Sequence, residues 1–83
     1  MTLEALDGFI RNQYRVKGRD NVLLVWRILQ TVRRYARLTV RQLYYILISR
    51  FRYPATRAFY KRMNMYLSKI RRLNPDVHRK FID

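Results

Sequence analysis

Side chains that can form hydrogen bonds with nucleotide bases recur along one helix-forming segment in the second half of the chain. They are Arg57, Lys61, Asn64 and Ser68, spaced three or four positions apart. That spacing puts them on one face of an α-helix. An arginine can donate two parallel hydrogen bonds to a guanine edge, and an asparagine can pair in the same way with adenine. The pattern predicts that these residues contact bases in a DNA groove, although a charged helix face is also typical of a merely solvated helix.

Further side chains are suited to contacts with phosphate. A guanidinium group binds phosphate in bidentate fashion, and a tyrosine hydroxyl can donate one hydrogen bond. Arg41 is expected in the first turn of a helix, where backbone amides also attract an anion; the alternative is a surface residue without a partner. The predicted phosphate contacts are Arg33, Arg34, Arg37, Arg41, Tyr45, Arg62 and Arg72.

The charge balance of the whole chain indicates a polyanionic partner. Nineteen Lys and Arg face five Asp and Glu in 83 residues, which gives a net charge of +14. Residues 22–75 contain no carboxylate at all, whereas a solvated helical surface normally mixes both signs. Double-stranded DNA is the predicted partner. An acidic membrane surface, an acidic protein partner and RNA are the alternatives.

Several other classes of function are disfavoured by composition. The chain has no Cys and a single His, so a metal site, a cofactor site or a hydrolytic centre is not expected. No enzymatic activity and no small-molecule substrate are therefore predicted. No apolar run reaches the ~18–20 residues that span a bilayer. The N-terminus carries acids rather than a basic leader, so we expect a cytoplasmic protein, either associated with the nucleoid or acting in an infected host cell.

Hydrophobic periodicity predicts a single domain, residues 1–83, that is all-α or mainly α. Four helices are expected at about residues 2–15, 21–37, 40–52 and 57–73, with a short tail at 75–83 that forms one strand or one helical turn. Thr2 and Thr56 are predicted N-caps, and Thr39 with Gln42 forms a capping box. Asp20 or Asn21 is expected to cap the second helix.

The apolar stripes predict which side of each helix is buried. On the second helix the stripe is Val22, Val25, Trp26, Leu29, Val32 and Ala36. Trp26 is interpreted as a core residue rather than a base-stacking platform, and Arg27 is placed on the opposite face. In the pair Tyr44-Tyr45, the first is predicted to pack inward and the second to face solvent. Met65 is predicted to be exposed, as a contact to a dimer partner or to a thymine methyl group.

Two helices joined by a turn of about three residues at Tyr53-Pro54, with the second helix strongly basic, are typical of a helix-turn-helix. Residues 38–72 also resemble a known domain, through the stretches LTVRQLYYILISRF and TRAFYKRMNMYLSKIRR. The resemblance is to the winged-helix DNA-binding domain with an Arg-Gln-apolar-Tyr-Tyr signature. That domain occurs in stand-alone proteins and, more remotely, near the catalytic tyrosine of the A subunit of type IIB DNA topoisomerases and of the related meiotic double-strand-break protein.

The resemblance implies a wing after the second helix of the pair, but only residues 77–82 could supply it, so a reduced or absent wing is expected. In those topoisomerases the second tyrosine of the pair attacks DNA, and Tyr45 is its counterpart here. Their cleavage also needs a carboxylate-rich metal-binding domain, whereas the five acids of this chain are scattered. A phenol needs activation to attack a phosphate, so no DNA cleavage is expected.

These observations predict a sequence-specific DNA-binding protein that acts as a transcriptional regulator and forms a homodimer. The rival prediction is a packaging or chromatin-like protein that coats DNA with little sequence preference. A third is an inhibitor that masks an acidic surface on a polymerase or nuclease. Sparse Gly, absent Cys and abundant Arg, Tyr, Ile and Val suit a heat-loving source. Compact winged-helix or helix-turn-helix proteins of this size are common in archaeal viruses and plasmids, which fits this composition by analogy alone.

Overall fold

The computed structural model describes residues 2–82, which form five helices. They are α1 (Leu3–Tyr14), α2 (Arg19–Arg34), α3 (Val40–Phe51), α4 (Arg57–Leu73) and α5 (Pro75–Lys80). Apart from one isolated backbone bridge, residues 2–82 contain no β-structure. The predicted all-α class is therefore confirmed, with a fifth helix in the segment that was expected to be a tail.

Threonine N-caps start three of the helices, as predicted. The Oγ1 atoms of Thr2 and Thr56 accept the amides of Ala5 and Phe59, each at 3.1 Å. At α3 the capping box is complete. The Gln42 amide donates to Thr39 Oγ1 at 3.0 Å, and the Thr39 amide donates to Gln42 Oε1 at 2.8 Å. These bonds satisfy helix-end donors locally, which is why they are readable from sequence.

The start of α2 differs from the prediction. The helix begins at Arg19, and its N-cap is Gly18, which adopts φ 89 without any side-chain cap bond. Asp20 already lies inside the first turn, and the Asn21 side chain donates to the Lys17 carbonyl at 2.9 Å instead of capping the helix. The expected cap at Asp20 or Asn21 is therefore wrong, because glycine can take a positive φ that lets the helix start earlier.

The end of α2 also differs, because tertiary pairing straightens the chain after Arg34. Tyr35 is extended, with φ −114 and ψ 136, so the helix ends before residue 37. The Leu38 amide donates to the Lys80 carbonyl at 3.0 Å, and the Ile82 amide donates to the Leu38 carbonyl at 3.1 Å. This parallel bridge joins Leu38 to Phe81 and is all the β-pairing in residues 2–82, so no wing is present there.

Helix α2 is the centre of the core, since it packs against α1, α3 and α4. Leu24 and Ile28 were not part of the predicted stripe, yet they are as fully buried as its members Val25 and Val32. A helix with neighbours on several sides is apolar around more of its circumference. Among the side chains that the structure describes, the largest fully buried ones are Ile10, Leu24, Val25, Ile28, Val32, Leu38, Leu43, Leu47, Met63, Leu67 and Ile70.

Three side chains of α2 and the segment after it depart from the predicted faces. Ala36 is exposed, since the helix has already ended there, and Trp26 is only half-buried. Arg27 does not point to solvent. Its guanidinium carbon lies 4.6 Å from the centroid of the Phe51 ring, and its Nη1 donates to the Tyr53 hydroxyl at 3.2 Å. A guanidinium group stacks favourably on aromatic rings. The face of α2 opposite the aliphatic stripe therefore packs against Phe51 and Tyr53 through Arg27.

Candidate nucleic-acid interface

Helices α3 and α4 form the two-helix unit predicted from sequence. The connection, residues 52–56, is longer than the expected turn because α3 ends at Phe51, one residue before the predicted boundary. Arg52 is its C-cap and takes left-handed angles, φ 59 and ψ 34, while its amide still donates to the Ile48 carbonyl at 3.0 Å. Pro54 follows, and Thr56 then caps α4.

A cluster of aromatic rings holds α4 against α3. The ring of Tyr44 meets Tyr60 edge-on at 5.0 Å between centroids and lies 6.1 Å from Phe59. Tyr53, from the connection, stacks on Phe59 at 4.7 Å with 10° between the planes. Phe59 is buried and Tyr44 is half-buried against the core, which confirms the predicted inward direction of Tyr44. The cluster sets how α4 is presented to solvent.

The outward face of α4 carries the residues predicted to contact bases. Arg57, Lys61 and Ser68 are exposed. Asn64 is half-buried, and its amide donates to the Tyr60 carbonyl of the same helix at 3.2 Å. Met65 is 50% exposed on this side, as predicted, while the opposite side of α4 is buried. The face is polar and basic apart from Met65, and α4 contributes no carboxylate to it.

The cations of this face are not neutralised from within the described part of the protein. Among residues 2–82 the one ion pair joins Arg11 Nε to Asp7 Oδ2 at 2.6 Å, and it lies on α1. Arg57 and Lys61 have no carboxylate partner in residues 2–82. An internal ion pair would have neutralised the charges of Arg57 and Lys61. Exposed cations without such a partner remain available to bind a polyanion.

The residues predicted to contact phosphate are distributed around this unit. Arg33, Arg34, Arg37, Arg41 and Arg72 are exposed, and Tyr45 is 58% exposed. Arg37 and Tyr45 come together at one surface depression of about 300 Å³, beside Gln42. Ser68 and Arg72 come together at another, of about 480 Å³. The first depression adjoins the N-terminus of α3 and the second adjoins the C-terminus of α4.

Arg62 is held differently from the other predicted phosphate contacts. It is half-buried, its guanidinium carbon lies 5.6 Å from the Phe59 ring centroid, and its Nε is buried without a hydrogen-bond partner. Its guanidinium group therefore lies against the aromatic cluster. A side chain anchored in this way has less rotamer freedom to lose when it contacts an anion.

Sequence reasoning missed three basic residues near this interface. Arg50 lines a depression with Arg34 at the C-terminal ends of α3 and α2. Arg71 and His78 line the depression at the end of α4, and Arg71 Nε donates to His78 Nδ1 at 3.2 Å. Arg71 and His78 are seven positions apart, across the break at Asn74-Pro75. That break is visible in the sequence, but the direction in which α5 folds back on α4 is not.

Nowhere in residues 2–82 do three or more His, Cys, Asp or Glu side chains come together in a way that could hold a metal ion. None of the helices in that range is both long enough and apolar enough to cross a bilayer.

Comparisons with known proteins do not assign the chain to a family. No family model, no curated protein and no solved structure matches it. Its function is therefore inferred from the residues and their geometry.

Proposed function

We propose that this protein binds double-stranded DNA through α3, the connection and α4, with α4 lying in the major groove. The observation that carries the proposal is the exposed, carboxylate-free face of α4, with Arg57 and Lys61 near its N-terminal end. In helix-turn-helix complexes the N-terminal residues of the second helix meet base edges. Arg57 and Lys61 then contact guanine edges, and Asn64 and Ser68 contact bases further along the helix.

The remaining cations supply attraction to phosphate. The exposed residues proposed for this role are Arg41 at the start of α3, Arg72 at the end of α4, Arg33 and Arg34 in the last turn of α2, and Arg37 after it. Such contacts position a protein on the duplex without reading sequence. Tyr44 serves as scaffold, and the exposed Tyr45 donates a hydrogen bond to a phosphate. The resemblance of residues 38–72 to winged-helix domains favours the same assignment, with α4 rather than a wing making the contacts.

Sequence-specific binding would suit a transcriptional regulator, acting in the cytoplasm on the nucleoid or in an infected host cell. One short helix reads few base pairs, so we propose that two copies bind a two-fold site. Dimers of helix-turn-helix proteins place their reading helices about one turn of DNA apart, roughly 34–36 Å. No chemistry on the DNA is included in the proposal.

The second candidate function is a packaging protein that coats DNA. One observation favours it: basic residues line four surface depressions at the ends of α1, α2, α3 and α4, and no carboxylate of residues 2–82 lines any of them. A protein that binds one DNA site needs cations mainly on one face. A packaging protein can use cations on several faces, because it contacts DNA on more than one side. Both functions use the same electrostatic attraction.

A salt titration with competitor DNA tests the proposal and separates the two functions. A preferred site is first selected from random duplexes, and binding is then measured at several salt concentrations. A regulator should retain a preference of at least ~10³ for that site over competitor DNA. A coat that neutralises roughly six phosphates should show a log–log salt slope of about −5 and no sequence preference. Failure to bind any duplex at low salt, or a clear preference for duplex RNA, would overturn the proposal.

Replacing Tyr45 by phenylalanine should leave DNA both uncut and bound. The hydroxyl contributes at most one phosphate hydrogen bond, worth about 0.5–3 kcal/mol. The measurement is incubation of supercoiled plasmid with Mg²⁺ and either protein, followed by electrophoresis under denaturing conditions. Nicking by the wild-type protein that disappears in Tyr45→Phe would contradict the assignment and show Tyr45 to be a nucleophile.

A further inference from the structure

A groove between α1 and α2 differs from the rest of the surface. It has a volume of about 550 Å³. Its floor includes Leu6 and Trp26, both half-buried, and Leu23, which is 39% exposed. Its rim consists of Glu4, Asp7, Arg11 and Arg19. The groove therefore combines exposed apolar area with charges of both signs.

The charge of the groove is what sets it apart. Two carboxylates and two guanidinium groups line it, so its local charge is balanced, while the whole chain carries +14. Within the described part of the chain, no acid lines the four basic depressions. Two copies of a strongly basic protein repel each other, and they can approach most closely where the local charge is near zero.

We propose that this groove is the surface through which two copies of the chain associate. An interface with two-fold symmetry uses the same patch twice, so the patch must be complementary to itself. A rim with both signs meets that requirement, because Glu4 of one copy can face Arg19 of the other, while Asp7 is paired with Arg11 within each copy. The exposed Leu23 beside Trp26 supplies apolar area to bury. A uniformly basic face could not serve in this way.

The proposed dimer leaves the DNA-binding unit uncovered. None of the groove residues belongs to α3 or α4. The inference goes beyond DNA binding and does not depend on it, since association can be measured without nucleic acid. The inference also predicts that association of two copies and binding to DNA respond to salt in opposite directions. Added salt screens the net repulsion between two copies and should strengthen association, whereas the same salt should weaken binding to DNA.

Sedimentation velocity on the full chain without DNA tests the inference, over concentrations from about 5 to 200 µM. The wild-type protein should show a reversible monomer–dimer equilibrium that shifts toward dimer as NaCl is raised. Leu23→Ser should raise the dissociation constant at least about tenfold, since it removes apolar area at the centre of the groove. Leu73→Ser is the matched control: Leu73 is 46% exposed but lies at the end of α4, outside the groove.

Leu73→Ser should change the dissociation constant by less than about twofold, with both variants showing the wild-type circular dichroism spectrum. A monomer throughout the concentration and salt range would overturn the inference, and so would equal effects of the two substitutions. Capture of another protein by a monomeric chain, lost in Leu23→Ser and kept in Leu73→Ser, would assign the groove to that partner and overturn the inference. Binding of each variant to a half-site duplex, measured separately, reports on the proposed function, so the two proposals fail independently.

Discussion

Arg57→Ala should weaken binding to the preferred DNA site by about 1–3 kcal/mol, which is roughly 5- to 150-fold. Arg57 is the first residue of α4, is exposed, and has no carboxylate partner in the described part of the chain. A guanidinium that donates two hydrogen bonds to guanine discriminates against other bases. The loss should therefore be largest for the preferred site, and base preference at one position should relax. Competition binding with a set of single-base variants of the site measures both effects.

Arg34→Ala is the matched control for this experiment. Arg34 is also exposed and loses the same side chain, but it lies at the end of α2 and not on α4. A phosphate contact weakens all sequences alike and lowers the salt slope by about one when it is removed. The proposal for α4 has to be abandoned if Arg57→Ala binds the preferred site as tightly as the wild-type protein does.

Phe59→Ala should lower the free energy of unfolding by about 3–5 kcal/mol. The Phe59 side chain is 4% exposed, and it stacks on Tyr53 and lies against Tyr44 and Arg62. Removing it opens a cavity and deprives three neighbours of their contact. A chain of this size has a total stability of about 4–12 kcal/mol, so the substitution should remove at least about a quarter of it. Urea unfolding followed by circular dichroism measures the loss.

Phe9→Ala makes the same chemical change at a residue that is 50% exposed on α1, and it should cost less than about 1 kcal/mol. Phe59→Leu should fall between the two, because it keeps apolar volume but loses the stacked ring. In the folded fraction of Phe59→Ala, DNA affinity should also fall, since the aromatic cluster orients α4 against α3. Equal losses of stability in Phe59→Ala and Phe9→Ala would show that the cluster does not hold the two helices together.

Local interactions explain which features could be predicted from sequence. The capping box at Thr39 and the cap at Thr56 involve residues three positions apart, so their bonds form wherever the helix starts. The face of α4 follows from its period alone. For that reason Arg57 and Lys61 are exposed as expected, and Met63 and Ile70 are buried.

Features that depend on distant parts of the chain were missed. Arg27 packs on Phe51 and Tyr53, which are more than twenty positions away, so the periodicity of α2 could not reveal its partners. The early end of α2 depends on backbone bonds between Leu38 and the C-terminal segment. Residues 35–37 do not continue the helix, because the backbone hydrogen bonds of Leu38 with Lys80 and Ile82 require an extended chain before Leu38.

The sequence by itself determined the helical class, the three threonine caps, the buried and exposed faces of α4 and the excess of positive charge. Each of these depends on composition or on neighbours within one or two helical turns. Only the tertiary structure decided that α2 is buried on several sides, that α5 folds back to bring His78 to Arg71, and that the N-terminal carboxylates line a groove with Trp26. These arrangements depend on how whole helices dock, and docking is a sum of many weak contacts that no single spacing encodes.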